Sequence, residues 1–294
     1  RPPRSTLFPY TTLFRSDKSG SMEGNGVTNV NNAIKTLKDT LIKANIRAQV
    51  KLAVVTFSGM DSRYGYDSLW DDADLAKNWT DLNSFTWRLN ETGGGTNWQA
   101  GIKKGEDVLK TGSGTKKYVV FLTDGNPTFR YNESGKTVGE GNDDSQGYNY
   151  NAAITEWNSS PTLKAATGKY VIDATPTGSA NCKTLAQTLS GNAADYLTEN
   201  YLKGNNEESI KNSFNKIAKA ITYASYNNVT ITDTLSDYAE FKTKDVNGRP
   251  VIKVYKGTKT YTKDTSGTIT GIQSVQQDRK STRLNSSHHG MAYC

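Results

Sequence analysis

Apolar residues recur along the chain in two rhythms. Val27, Val30, Ile34, Leu37 and Leu41 fall on one face at helical spacing, which predicts a helix over Val27–Ala44. Val50–Ser58 (VKLAVVTFS) and Lys116–Thr123 (KKYVVFLT) are short, nearly continuous apolar runs, the pattern of strands covered on both faces. Gly168–Ala174 (GKYVIDA) is a weaker strand of the same kind. Helices are expected over Asn97–Leu109 and Cys182–Leu189, and over Glu207–Thr222, where Ile210, Phe214, Ile217 and Ile221 share a face. A polar stretch with Trp70, Trp79 and Trp87 separates the first two strands. This alternation predicts an α/β domain with a doubly wound, mainly parallel sheet flanked by helices. After Tyr223 the rhythm changes to period two in Asn228–Leu235 (NVTITDTL), and strands follow at Val251–Tyr255 and Thr258–Thr262. Residues 224–277 are therefore expected to begin an all-β, sandwich-like module that the chain truncates.

Both ends have an unusual origin. Thr6–Ser16 (TLFPYTTLFRS) and Asp278–His288 (DRKSTRLNSSH) are the in-frame translations of the two common sequencing adapters. Residues 1–16 and 278–294 are accordingly set aside as assembly artefacts. This leaves 17–223 for the α/β domain, with its first strand replaced by adapter sequence.

The charge balance changes with them. The whole chain of 294 residues carries a formal charge of +7. Without Arg1, Arg4, Arg15, Arg279, Lys280, Arg283 and Asp278, 30 basic residues face 28 acidic ones, which leaves no nucleic-acid footprint. Both histidines, His288 and His289, fall in the excluded tail, so residues 17–277 offer no His-based catalytic or zinc site. Cys182 remains alone, with no disulfide partner, and reads as a small buried hydrophobe. No apolar run approaches the roughly 20 residues that span a bilayer.

Three pieces carry candidate chemistry. Asp17-Lys18-Ser19-Gly20-Ser21 precedes the first helix; Thr96 follows Gly93-Gly94-Gly95; Asp124 ends the KKYVVFLT strand. In an open α/β sheet, ligands bind beyond the carboxyl ends of the strands, where all three would emerge. Two carboxylates and three hydroxyls are hard oxygen donors that suit Mg²⁺ or Mn²⁺, with Ca²⁺ also compatible. Taken singly, DxSGS and Thr96 are ordinary helix caps and Asp124-Gly125 an ordinary turn. The order, spacing and context of the three favour a metal site.

Together the pieces resemble the metal-ion-dependent adhesion site of von Willebrand factor type A domains, over about Asp17 to Thr222. The resemblance implies that Ser19, Ser21 and Thr96 bind the metal through hydroxyls. It implies that Asp17 and Asp124 act directly or through water, and that an acidic residue of a protein partner fills the remaining position. One departure stands out: the family's first strand is strongly apolar, whereas Thr12 and Arg15 are poor choices for a central strand.

Specificity is expected in Pro127–Ser160, whose Phe129, Tyr131, Tyr148 and Tyr150 are candidate ligand contacts; a solvated loop packing its own aromatics fits the same composition. Asp143 and Asp144 read as a solvated acidic loop before a second cation site. Val229–Tyr238 resembles the segment after the A domain in surface proteins of Gram-positive bacteria, including pilus-tip adhesins. Such modules often carry Lys-Asn isopeptide bonds, for which Lys242, Lys244 and Lys253 are candidates without an assigned partner. The expectation is a cell-surface or secreted adhesion module binding a protein ligand, such as host extracellular matrix. An intracellular A domain of a metal-insertion or AAA⁺-associated assembly is the alternative. No GxxxxGK[ST] loop or separate catalytic base is present, so an enzyme is not expected.

Overall fold

The structure, a computed structural model, describes residues 10–43, 50–60, 72–142, 146–225, 260–263 and 269–274. They fall into two compact units, residues 1–228 and 229–294.

In the first unit the elements run β1 (Tyr10–Asp17), α1 (Asn25–Lys43), β2 (Val50–Phe57), β3 (Ala73–Asp81), α2 (Trp98–Lys110), β4 (Lys116–Thr123), β5 (Phe129–Tyr131), β6 (Thr137–Gly139), α3 (Tyr148–Asn158), α4 (Pro161–Lys164), β7 (Gly168–Asp173), α5 (Ala180–Leu189), α6 (Tyr196–Glu199), β8 (Tyr201–Lys203) and α7 (Glu207–Ser225). Six strands form one sheet in the order β3-β2-β1-β4-β7-β8. All pairs are parallel except β2 with β3. The expected doubly wound α/β architecture is what the chain forms.

Alternate residues of the central strands feed two cores. Phe14, Val54, Val120 and Ile172 pack with α1 and α7; Leu13, Val55, Phe121 and Val171 pack with α2, α3 and α5. That two-sided burial explains why these strands read as continuous apolar runs. Chain order reverses at β1, which has β2 on one side and β4 on the other. The crevice beyond the ends of β1 and β4 is thus the switch point of the sheet, the usual place for a ligand in such folds.

The adapter-like residues occupy the central strand. Tyr10–Asp17 pairs with β2 from Tyr10↔Val50 to Asp17↔Phe57 and with β4 from Tyr10↔Lys116 to Ser16↔Leu122. Leu13 and Phe14 fill core positions, Phe14 against Phe214 of α7 at 5.5 Å. The mismatch falls where the side chains are polar. Thr11, Thr12 and Arg15 are fully buried, and both threonine hydroxyls and all three guanidinium nitrogens lack a hydrogen-bond partner. Arg15 lies against α2, its guanidinium carbon 5.0 Å from the centre of the Phe121 ring. Burial pushes its pKa down to about 9, against the attraction of Glu106, so it stays charged at neutral pH. Glu106 is committed elsewhere, accepting from the backbone N–H groups of Thr162 and Leu163 at the start of α4.

Three features depart from the sequence reading. The Trp-containing stretch holds an antiparallel edge strand, β3, largely open to solvent. The segment expected as one long insertion contains a hairpin, β5–β6, and a helix, α3. A short edge strand, β8, follows α6. In the second unit β9 (Thr260–Lys263) and β10 (Ile269–Ser274) form an antiparallel pair. The expected strands at 228–235 and 251–255, Lys242, Lys244, Lys253, Asp143, Asp144, Trp70 and residues 275–294 lie outside the described residues, as do residues 1–9.

Candidate metal site

Four of the five expected donors form one hydrogen-bonded chain at the switch point. Asp17 ends β1 fully buried. Its Oδ1 accepts from the Ser19 backbone N–H at 2.8 Å and its Oδ2 from Thr123 Oγ1 at 2.6 Å. Ser19 Oγ lies 3.0 Å from Ser21 Oγ. Ser21 Oγ donates to Asp124 Oδ1 at 2.8 Å. Asp17 and Ser19 are buried, Ser21 is exposed and Asp124 half-buried, so the cluster opens to solvent on the Ser21–Asp124 side.

The fifth donor, Thr96, is brought in by backbone. Gly93 N–H donates to Lys18 O at 2.8 Å and Gly20 N–H to Gly94 O at 2.9 Å, stapling the glycine loop onto the Asp17–Ser21 loop in both directions. Thr96 is then fixed by Thr128: its N–H donates to Thr128 Oγ1, and its carbonyl accepts from the N–H groups of Thr128 and Phe129. Asn97 caps α2 by accepting from Ala100 N–H at 3.0 Å.

Two glycines of this loop, Gly94 and Gly95, are required for steric reasons. Gly94 has φ +73°, and a Cβ at Gly95 would fall 2.3 Å from the Phe129 ring. Gly95→Ala is therefore expected to destabilise the domain by about 1–3 kcal/mol through overpacking. It should also displace Thr96, one of the expected donors, and so weaken any magnesium binding at this site. Thermal melts and metal titration check this, and wild-type values for both would contradict it.

Two carboxylates meet in this cluster. Burial first, and the Asp124 carboxylate second, raise the Asp17 pKa to about 7; burial also raises that of Asp124. The donor chemistry fits a hard divalent ion, since every group is an oxygen. Among the described residues no three His, Cys, Asp or Glu side chains converge, so the hydroxyls are needed to complete such a set.

A pH effect follows for metal-free protein. The folded pKa of Asp17 lies above its ordinary 3.8, so folding holds a proton that the unfolded chain releases. The contribution is favourable at low pH and is lost as pH rises from about 4 to about 7, at up to about 1.4 kcal/mol per pH unit. Urea unfolding in chelator is expected to show Asp17→Asn gaining stability over wild type at pH 7.5 but not at pH 4. An equal gain at both values would contradict the assignment.

Sequence reasoning missed Thr123 and Thr128. Thr123 orients Asp17, and its hydroxyl accepts from Trp98 Nε1 at 3.2 Å; Thr128 orients Thr96. Their adjacency to the Asp124 turn was the available signal. The proposed aromatic contacts separate. Phe129 is buried, filling the space that Gly59, Gly95 and Gly139 leave, so it supports the loop from beneath. Tyr150 is half-buried against Trp98. Tyr131 is half-buried, with Lys103 Nζ 5.5 Å from its ring centre. Tyr148 is 58% exposed, with the Arg130 guanidinium 5.4 Å from its ring centre. Cys182 is free and buried, its thiol pushed well up by burial.

A doubly wound sheet with an oxygen-rich cluster at its switch point defines the class: an α/β domain built to present that cluster at one edge. Residues 12–126 match the von Willebrand factor type A domain family. The fold is similar to the PilB minor pilin from Streptococcus sanguinis, at 17% identity and TM-score 0.56 over 76% of this chain and 63% of that one. It is similar to the pilus adhesin SpaC from Lactobacillus rhamnosus GG, at 19% identity and TM-score 0.54 over 75% and 31%. It is also similar to the vWF domain of the type V pili tip protein Mfa5 from Porphyromonas gingivalis, at 14% identity and TM-score 0.52 over 78% and 100%. At these identities the likeness is one of fold. The chain spans 63% of the pilin and 31% of SpaC. No curated protein matches in sequence.

Proposed function

We propose that this domain is a divalent-cation-dependent adhesion module of a bacterial cell-surface protein. The observation that carries the reading is the Asp17–Ser19–Ser21–Asp124 hydrogen-bonded chain, with the Thr96 loop stapled to it, at the switch point of the sheet. The likeness in fold to pilin and pilus-tip proteins supports a surface location.

The side chains that would hold Mg²⁺ or Mn²⁺ are the hydroxyls of Ser19, Ser21 and Thr96 and the carboxylates of Asp17 and Asp124. Bound there, the cation would supply a positive charge that accepts a carboxylate oxygen from the partner, in a partly desolvated and directional contact. The chain's own residues do the rest. Thr123 and the Ser19 N–H hold the Asp17 carboxylate in place, and Thr128 holds Thr96. The open Ser21–Asp124 side leaves the approach for an acidic residue of a protein ligand, host extracellular matrix being the class to screen.

Calorimetric titration of Mg²⁺ and Mn²⁺ into the chain, followed by binding to immobilised matrix proteins with and without chelator, tests the proposal. Saturable metal binding and chelator-sensitive adhesion are expected. Folded protein that takes up neither ion overturns the metal-dependent reading.

A further inference from the structure

An open groove of about 400 Å³ starts at the candidate metal site and runs toward β7, with Asp124 as the shared wall. That is in the lower part of the range of ligand pockets, roughly 300–1,000 Å³. Asn126, Thr175, Thr177, Ser179 and Asn181 line it.

Its far wall is prebuilt. The carboxylate of Asp173, 1% exposed at the end of β7, accepts from Thr175 N–H at 3.0 Å, Thr175 Oγ1 at 2.5 Å, Ser179 N–H at 2.7 Å and the Tyr201 hydroxyl at 2.7 Å. Ser179 then crosses the floor, donating from Oγ to Asn126 Oδ1 at 2.7 Å and accepting from Cys182 N–H at 3.2 Å. The loop over residues 175–179 is thus fixed to a buried hub, and a partner would bind without paying to order it.

The lining selects an occupant. Among the described residues it carries no charge apart from Asp124, and the start of α5 is already capped by Ser179, so nothing in this lining favours an anion. Among the described residues it holds no aromatic face of the kind on which sugars stack. Amides and hydroxyls remain, groups that both donate and accept, as peptide groups do. Thr177 is exposed and Asn181 half-buried, and neither side chain is engaged in a hydrogen bond.

The geometry points to this groove as the seat of the short, neutral, small-residue peptide stretch that flanks the partner's acidic residue. It reads the partner's main chain while the acidic side chain reaches the neighbouring metal site. The inference rests on the cation-bridging reading of that site and adds to it a second determinant beside the metal.

The test compares acetate with acetyl-Asp-Gly-Gly-amide in magnesium, on the full chain and on Asn181→Trp and Thr177→Trp, each of which fills the groove from its surface. Two or three added hydrogen bonds should make the peptide bind about tenfold more tightly than acetate. The peptide, and not acetate, should shift the side-chain amide resonances of Asn126 and Asn181. Both tryptophan variants should bind the peptide no better than acetate, with magnesium affinity unchanged. The inference is overturned if the peptide gains nothing over acetate, if both variants bind it as the parent does, or if a methyl glycoside produces the same amide shifts. Failure of the underlying reading shows separately: magnesium then binds none of the three proteins, and the groove assignment falls with it.

Discussion

Asp124→Ala should lose magnesium binding by at least about 100-fold while leaving the metal-free fold intact. The size follows from the place of Asp124: it is one of only two carboxylates in the cluster, and it receives the Ser21 hydroxyl that orders the open side. Loss of even an indirect ligand typically costs 10–100-fold in metal affinity. The stability arm runs the opposite way. Asp124 is a like-charge neighbour that helps raise the pKa of buried Asp17, so its removal relieves repulsion in the metal-free state. Its hydrogen bond from exposed Ser21 is replaced by water at little cost. Metal-free Asp124→Ala should therefore unfold at the same or a higher temperature than wild type at pH 7.5. Calorimetry and thermal melts in chelator measure the two arms. A variant that melts lower and keeps its magnesium affinity would show Asp124 to be a structural turn residue.

Arg15→Met should stabilise the domain by about 3 kcal/mol. A buried charge without hydrogen bonds costs several kcal/mol, and replacing buried ionic groups by apolar ones of similar shape is often stabilising. Arg15 is such a group: fully buried, unbonded at all three nitrogens, its nearest acid turned to the α4 backbone. Methionine keeps the unbranched stem that runs beside Gly105, where an added Cβ would meet Arg15 Cδ at 2.8 Å. For a domain of this size each kcal/mol moves the melting temperature by about 2–4 °C, so a rise of roughly 6–12 °C is expected. A fall on substitution would mean that the guanidinium has found partners that stabilise it. The prediction also bears on origin, because this strand is the one whose sequence coincides with an adapter.

What the sequence showed depended on burial. β2, β4 and β7 are covered on both faces, so their apolar runs are continuous, and α7 presents a full apolar stripe; each was legible. β3 was not, because it is an edge strand whose Leu75 and neighbours face solvent, and irregular pairing with β2 breaks its alternation. The β5–β6 hairpin has three residues per strand, too few for any period to register. That Asp17, Ser19, Ser21 and Asp124 come together was legible because hydroxyls and carboxylates next to glycine at strand ends form a recognisable set. Thr123 and Thr128 were hidden, since a threonine that orients another residue looks like any strand or turn threonine. Phe129 was misjudged for a related reason: three glycines far apart in sequence make its cavity, and only the folded chain brings them together.

The central place of β1 has a consequence for synthesis. Thr123, at the end of β4, follows Asp17 by 106 residues, so β1 leaves the ribosome long before one of its two neighbours exists. At about 5–20 residues per second that interval is roughly 5–20 s, during which an apolar strand stands with an open edge. Exposed strands of this kind recruit other chains unless a charge interrupts them. Arg15 is the only charge between Tyr10 and Ser16. Arg15→Met would therefore remove the one charge of this strand, and the variant is expected to melt higher once folded but to aggregate more readily while it refolds.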